Sequence, residues 1–188
     1  ELALELGAPT VAAIPDVFVS ADGPKKSISG PGIGNYVTFA KSAALLKNLL
    51  GDRRFASGGM VQAHGTSTPQ NRVTESQIMS QVAVAMGVQK WRVGAIKSFI
   101  GHSLGAAAGD QLSAMLGVWE TGLMPGITTL EGIASDVATD RLEFALRTEA
   151  TEAPDYALIN SKGVGGNNAT AAVLGPNVTH ELLRQHYV

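Results

Sequence analysis

Apolar residues fall along the chain in two rhythms. Short runs rich in Val, Ile, Phe and Ala span Val11 to Val19, Gly59 to Ala63, Trp91 to Ile96, Tyr156 to Asn160 and Ala169 to Leu174. Their length and β-branched content predict strands. Leu142 to Leu146 is a further short strand candidate. Between these runs the apolar positions recur at helical spacing. In Tyr36 to Leu50, the residues Val37, Ala40, Ala44, Leu45 and Leu49 share one face, and Gly51-Asp52 ends the pattern. A second helix is expected from Gln70 to Met86, with Gly87 past its end, and a third from Leu104 to Thr121. Glu1 to Leu6 reads as the end of a helix stopped by Gly7 and Pro9, and Val178 to His186 as a short terminal helix or tail. Ala21 to Asn35 carries Gly23-Pro24 and Gly30-Pro31-Gly32, so it reads as a loop long enough to bind something. Gly122 to Asp140 is irregular and acidic. Strand–helix alternation without an internal repeat predicts a three-layer α/β architecture forming a single domain over residues 1–188.

Composition narrows the function classes. The chain has 188 residues, 45% hydrophobic and 16% charged, with 22 Gly. It is long enough for a proper core, and the low charged fraction suggests more buried surface than a free-standing domain carries. The net charge is −2 with no basic cluster, so nucleic-acid binding has no electrostatic support. No apolar stretch is long enough to cross a bilayer and no signal-peptide pattern is present, so a cytoplasmic location is expected. The absence of Cys rules out disulfides, thiolate zinc sites and a cysteine nucleophile from this chain. No His and carboxylate set has zinc spacing, and Asp136 and Asp140 read as solvated loop charges. The chain starts at Glu1, inside a helical run and without Met, which reads as a piece of something longer.

Candidate chemistry gathers at three corners, each following an apolar run: His64 to Thr68, Lys97 to Ser103, and Asn160 to Asn168. Parallel or mixed strands would bring all three to one edge of the sheet, where α/β folds bind ligands. His64 and His102 are two of only four histidines. Two histidines and Lys97 near one edge point to acid–base or electrostatic catalysis. Simpler roles exist for each: Thr66, Ser67 and Thr68 could cap the following helix, and Gly163, Gly165 and Gly166 could serve a tight hairpin turn.

One catalytic reading starts from Gly101-His102-Ser103-Leu104-Gly105, which matches the G-x-S-x-G nucleophile elbow of α/β-hydrolases. Ser103 would be the nucleophile, Asp136, Asp140 or Asp155 the acid, and His180 or His186 the base. That order is available, but the reading leaves Lys97 and the Gly163 to Asn168 loop without a role.

The three corners together resemble the β-ketoacyl-[acyl carrier protein] synthases, condensing enzymes with a thiolase-like fold. Val61-Gln62-Ala63-His64-Gly65-Thr66-Ser67-Thr68-Pro69-Gln70-Asn71 through Glu75 resembles the family's first histidine motif. Lys97-Ser98-Phe99-Ile100-Gly101-His102-Ser103-Leu104-Gly105-Ala106-Ala107 resembles its lysine and second histidine motif, and Asn160 to Asn168 its terminal glycine-rich motif. The resemblance covers about residues 8 to 175. It implies the C-terminal half of a thiolase-like layered α-β-α fold, a mixed sheet flanked by helices, whose nucleophilic cysteine lies in an N-terminal half outside this chain. It implies decarboxylative condensation of acyl and malonyl thioesters in fatty-acid or polyketide synthesis. His64 and His102 would donate hydrogen bonds to a developing enolate, Lys97 would be a fixed positive charge with Glu75 as its partner, and the Val164 N–H would form part of an oxyanion hole. Thr66 and Thr68 would hold the phosphopantetheine arm of acyl carrier protein, and no separate cofactor is implied. The partners implied are acyl carrier protein, the N-terminal half and a second copy in a homodimer. A non-catalytic chain-length or scaffold subunit that keeps the fold but lacks the cysteine is a third possibility.

Four positions depart from that pattern. Lys162 and Val164 stand where the family has aromatics that gate the acyl pocket, and Arg72 stands where an Asp commonly follows Asn71. A carboxylate that helps hold a structural cation in some members falls at Gln111, so no metal is expected. Separated from its other half, the chain should be inactive and expose an apolar face.

Overall fold

The computed structural model describes residues 2–22 and 32–187. The elements in chain order are α1 (Leu2–Glu5), β1 (Ala13–Ala21), α2 (Ile33–Leu50), α3 (Asp52–Ser57), β2 (Gly59–Gln62), α4 (Pro69–Met86), β3 (Trp91–Gly94) and α5 (Lys97–Ile100). A single 3-10 turn at Leu104–Ala106 leads into α6 (Ala107–Thr121). There follow β4 (Leu123–Met124), β5 (Leu142–Phe144), β6 (Glu149–Ala150), β7 (Tyr156–Gly163), β8 (Asn167–Leu174) and α7 (Pro176–Tyr187). Most of the loop expected from Ala21 to Asn35 lies outside the described residues, and α2 begins at Ile33, three residues earlier than the apolar pattern suggested.

Six strands form one mixed sheet in the order β1-β8-β7-β2-β3-β5. β7, β2, β3 and β5 run parallel to one another, while β1 and β8 are antiparallel additions at one edge. β4 and β6 pair as a separate two-stranded ribbon. The alternation of side chains along each strand sorts the core into two layers. Val61 of β2 and Tyr156 and Leu158 of β7 face a cluster with Phe39 and Leu46 of α2 and Met79 and Val82 of α4. Met60 of β2 and Ala157 and Ile159 of β7 face the other way, onto Met115 and Val118 of α6. With both faces covered, the first half of β7 (Tyr156 to Ile159) and Met60 and Val61 of β2 are apolar, as parallel strands buried on two sides require. Polar side chains enter only toward the carboxyl ends of these two strands, at Gln62 and from Asn160 on. Helices on both faces are the layered α-β-α arrangement that the alternation predicted.

The first layer is stiffened by aromatic rings. Phe55 stacks on Tyr156 with centroids 4.9 Å apart, and Trp91 meets Phe39 and Phe55 edge-on at 5.5 and 6.2 Å. Such pairs add about 0.5–1.5 kcal/mol each beyond the area they bury. Trp91 Nε1 donates to the Tyr156 hydroxyl at 2.8 Å, and that hydroxyl donates to the Phe55 carbonyl at 2.8 Å, so neither polar group is stranded. Phe55 sits on α3, an element not read from the sequence, because Gly51-Asp52 looked only like an end. Gly51 does end α2, at φ 76°, and the next turn starts at once. Arg54 of α3 reaches Asp155 at 2.9 Å and Glu181 of α7 at 2.7 Å, tying the terminal helix to the start of β7.

The carboxyl ends of β2, β3 and β7 lie at one edge. Helix α4 leaves β2 on one face and α6 follows β3 on the other, which opens a crevice between them. Two glycines make the sharp corners there. Gly65 after β2 and Gly101 after α5 have φ of 57° and 76°, values that side chains with a Cβ rarely tolerate.

Candidate active site

The crevice is built on a buried polar net. Glu75 of α4 is 3% exposed, and its carboxylate accepts four N–H donors. The His64 and Gly65 backbone amides donate at 2.7 and 3.0 Å, the Asn160 side chain at 2.7 Å and the Asn71 side chain at 2.9 Å. Asn160 in turn accepts from Asn35 at 2.7 Å and from Thr170 at 3.1 Å. One carboxylate therefore fixes the corner after β2 and its neighbour β7 together. Asn35, Asn71, Asn160 and Thr170 had no role assigned from sequence. An asparagine inside the apolar run of β7, and one four residues before Glu75 on α4, are the signals that could have pointed to them.

On this base sits His64, 1% exposed. Its Nδ1 accepts the Lys162 backbone N–H at 3.2 Å, which puts the ring proton on Nε2. That Nε2 is buried without a partner. Burial dominates its titration: it pushes the His64 pKa down to about 4, with Lys97, His102 and Lys162 acting the same way against the opposing pull of Glu75. The ring is neutral at physiological pH and holds a donor ready for a ligand oxygen. His102 stands beside it, ring centroids 5.3 Å apart and planes at 80°. Its Nδ1 accepts the Leu104 N–H at 3.1 Å, so it too carries its proton on Nε2. The two rings line one cavity of about 620 Å³ with Leu104, Ser161, Gly163 and Asn168.

Lys97 heads α5, where the apolar run ends at Gly94 rather than Ile96. Its ammonium donates to the His64 carbonyl at 2.6 Å. Burial pulls its pKa below the usual lysine value, opposed by the fields of Glu75 and Asp110. Glu75 thus acts on Lys97 through space while its carboxylate oxygens accept the four N–H groups named above, and both residues hold the His64 backbone. Thr66 lines a second cavity of about 490 Å³, bordered by Lys97, Ser98 and His102 and walled by Val93, Ile127 and Phe144. Thr68 lies exposed at the start of α4, and its side chain makes no capping bond. Val164 is at the tip of the β7–β8 turn, 76% exposed, followed by Gly165 and Gly166, both at φ 85°.

The departures from the motif resolve differently. Lys162 is 7% exposed and lines the histidine cavity, its ammonium reaching Asn71 at 3.1 Å and Thr74 at 3.4 Å on α4. Arg72 does not stand alone: it grips Asp136 through two bonds of 2.8 Å, so Asp136 is ion-paired rather than merely solvated. Gln111 of α6 directs its amide nitrogen at three backbone carbonyls, of Gln62, Ala63 and Asn160. Among the described residues, no three His, Cys, Asp or Glu side chains converge to hold a metal ion.

The serine-nucleophile geometry is not met. The Ser103 hydroxyl bonds to the Asp110 carboxylate, and its φ of −77° is not the strained conformation of a nucleophile elbow. Two of the three candidate acids are already paired, Asp136 with Arg72 and Asp155 with Arg54, and the candidate bases His180 and His186 lie on α7.

Comparison with known proteins agrees with this geometry. The family described as "Beta-ketoacyl synthase, C-terminal domain" matches residues 12–131. The β-ketoacyl-[acyl-carrier-protein] synthase FabY of Pseudomonas aeruginosa is 47% identical over all 188 residues, which span 30% of that protein's length. The crystal structure of this noncanonical ketosynthase superposes with a TM-score of 0.93 at 46% identity, covering 99% of this chain and 29% of that one. A 3-oxoacyl-[acyl-carrier-protein] synthase 2 of Synechocystis is 35% identical over 112 residues, 60% of this chain and 26% of that protein. The chain therefore spans about a third or less of each of these relatives. With the crevice, its paired Nε2 donors and these matches taken together, the chain belongs to the β-ketoacyl synthase family, as its C-terminal domain, with a thiolase-like fold.

Proposed function

We propose that the chain supplies the enolate-stabilising half of a β-ketoacyl-acyl carrier protein synthase active site. The observation that carries this reading is the pair of imidazoles with both Nδ1 atoms occupied by backbone N–H groups, leaving two Nε2–H donors in one cavity.

In the reaction, an acyl group passes from a thioester to a cysteine sulfur supplied by the N-terminal half, and the carrier thiol leaves. A malonyl thioester then loses carbon dioxide. The electron pair of the broken C–C bond moves onto the thioester as an enolate, and the enolate carbon attacks the acyl-cysteine carbonyl, expelling the cysteine sulfur. Negative charge grows on the malonyl thioester oxygen in the decarboxylation step. Two fixed donors at that oxygen bind it more strongly as charge develops, and a buried donor is worth more than one in water. His64 must be neutral to play this part without losing its fixed orientation, and burial keeps it so. Lys97 holds the His64 carbonyl and sets the field at the site. The Val164 N–H, at the hairpin tip, would donate to the acyl-transfer oxyanion. Thr66 and Thr68 would receive the phosphopantetheine arm, which arrives with acyl carrier protein as substrate.

Leu104 and Val19, 77% and 75% exposed, border the histidine cavity with their apolar side chains facing outward, which fits cover by the N-terminal half. A homodimer in the cytoplasm is the setting we infer for the complete synthase. Among the described residues no helix is long and apolar enough to cross a membrane.

The test is His102→Ala in the complete synthase, with release of labelled carbon dioxide from a malonyl thioester as readout. Loss of one such donor should slow decarboxylation by about 10²–10³-fold. Undiminished release would overturn the role given to His102.

A further inference from the structure

Gln111 enters the site from the opposite layer to Glu75. It lies on α6, is fully buried at 0% exposed, and its Nε2 donates to the carbonyls of Gln62 at 3.1 Å, Ala63 at 2.7 Å and Asn160 at 3.0 Å. The Ser161 hydroxyl donates to its Oε1 at 3.0 Å. These partners fix which way the amide points, since the reverse orientation would set an acceptor against three acceptors. They also belong to two segments only, the end of β2 and the outer half of β7.

The sheet explains why a side chain is needed there. The last paired residues of β2 and β7 are Gln62 and Ile159. Beyond that point no backbone ladder joins the two strands, yet the next residues carry the site: His64 follows Ala63, and the Lys162 N–H that bonds His64 Nδ1 follows Ser161. Glu75 collects N–H donors from one face of the gap, and Gln111 collects C=O acceptors from the other. Neither does the other's work, because a carboxylate cannot donate and the two N–H groups of the amide point at carbonyls.

We infer that Gln111 is a positioning residue that holds the ends of β2 and β7 in the register locking His64 as its Nε2–H tautomer. The inference rests on the reading of His64 as a donor, and the experiment separates the two. Gln111→Met keeps length and apolar volume and removes every bond. Ser161→Ala removes only the bond that orients the amide, and carries the test should the Met variant fail to fold.

The full chain has four histidines, so selective ¹⁵N labelling and two-bond correlation NMR resolve the His64 ring. The unmodified chain should give one tautomer with the proton on Nε2. Gln111→Met should give a mixture, and Ser161→Ala a smaller shift the same way. In the complete synthase, Gln111→Met should slow malonyl decarboxylation about 10²-fold through misplacement of His64, with acyl transfer to the cysteine and KM unchanged. An intact tautomer in both variants, or equal loss of both half-reactions with only lowered stability, would overturn the inference. A lost tautomer with decarboxylation unchanged would support the positioning of His64 by Gln111 and overturn the donor role of His64 instead.

Discussion

His64 and His102 end in the same chemical state by opposite routes. Each accepts a backbone N–H at Nδ1 and so presents Nε2–H, at 3.2 and 3.1 Å respectively. For His102 the donor is Leu104, two residues on, and the ring is exposed. The loop makes the state by itself. For His64 the donor is Lys162, 98 residues away on β7, and the ring is buried in a net running through Glu75, Asn160, Asn71 and Gln111. A local turn can orient a donor cheaply but leaves it in water. A long-range net can bury it, where its hydrogen bond is stronger, at the risk that one lost partner strands several others. Pairing the two gives a site one member that is rigid and dry and one that sits on a loop at the mouth.

That contrast breaks most sharply at Glu75. Glu75→Leu leaves four N–H donors without an acceptor in a buried site, and urea unfolding should show a loss of about 3–5 kcal/mol. The Nε2–H state of His64 should go with it while that of His102 persists. A loss below about 1 kcal/mol would mean that the net is not what holds the corner.

The next effect is in pH. The His64 pKa is pushed from 6.5 to about 4 on folding, so below pH 6.5 the unfolded chain takes up a proton that the folded one refuses. The contribution is fully present above pH 6.5, shrinks as the pH falls, and is exhausted near pH 4, about 3 kcal/mol in all. Urea midpoints measured from pH 7 to pH 4 should fall accordingly, and less so in His64→Gln. Equal slopes in the two proteins would show that His64 is not the group responsible.

The smallest effect belongs to the loop. Leu104 has φ of 59°, a left-handed conformation that costs a residue with a Cβ about 1 kcal/mol. Leu104→Gly should raise thermal stability by about 0.5 kcal/mol after the extra chain entropy is offset. A loss of more than about 1 kcal/mol would mean that the Leu104 side chain anchors the loop despite its exposure.

Legibility in the sequence followed the range of the interactions. The strands and long helices could be read because burial on both faces or on one stripe writes a period into the sequence. The short α3 and the β4–β6 ribbon could not, since six and two residues hold no period and α3 owes its place to Phe55 packing under Trp91. His64, His102 and Lys97 stood out because unusual residue types sat just past apolar runs. The resemblance puts Glu75 near Lys97, and its field does act on that lysine, but no local pattern says that its oxygens accept backbone and asparagine N–H groups from three segments. Lys162 stands where the resemblance has a gating aromatic, and strand position alone does not say that its ammonium reaches Asn71 and Thr74.

The sequence by itself determined the main strands, the long helices and the three polar corners, because each follows from period or glycine placement. Only the tertiary structure decided the state of His64. Its donor, its burial and its two clamps come from β7, α4 and α6, and no local pattern fixes a hydrogen bond between residues 98 positions apart.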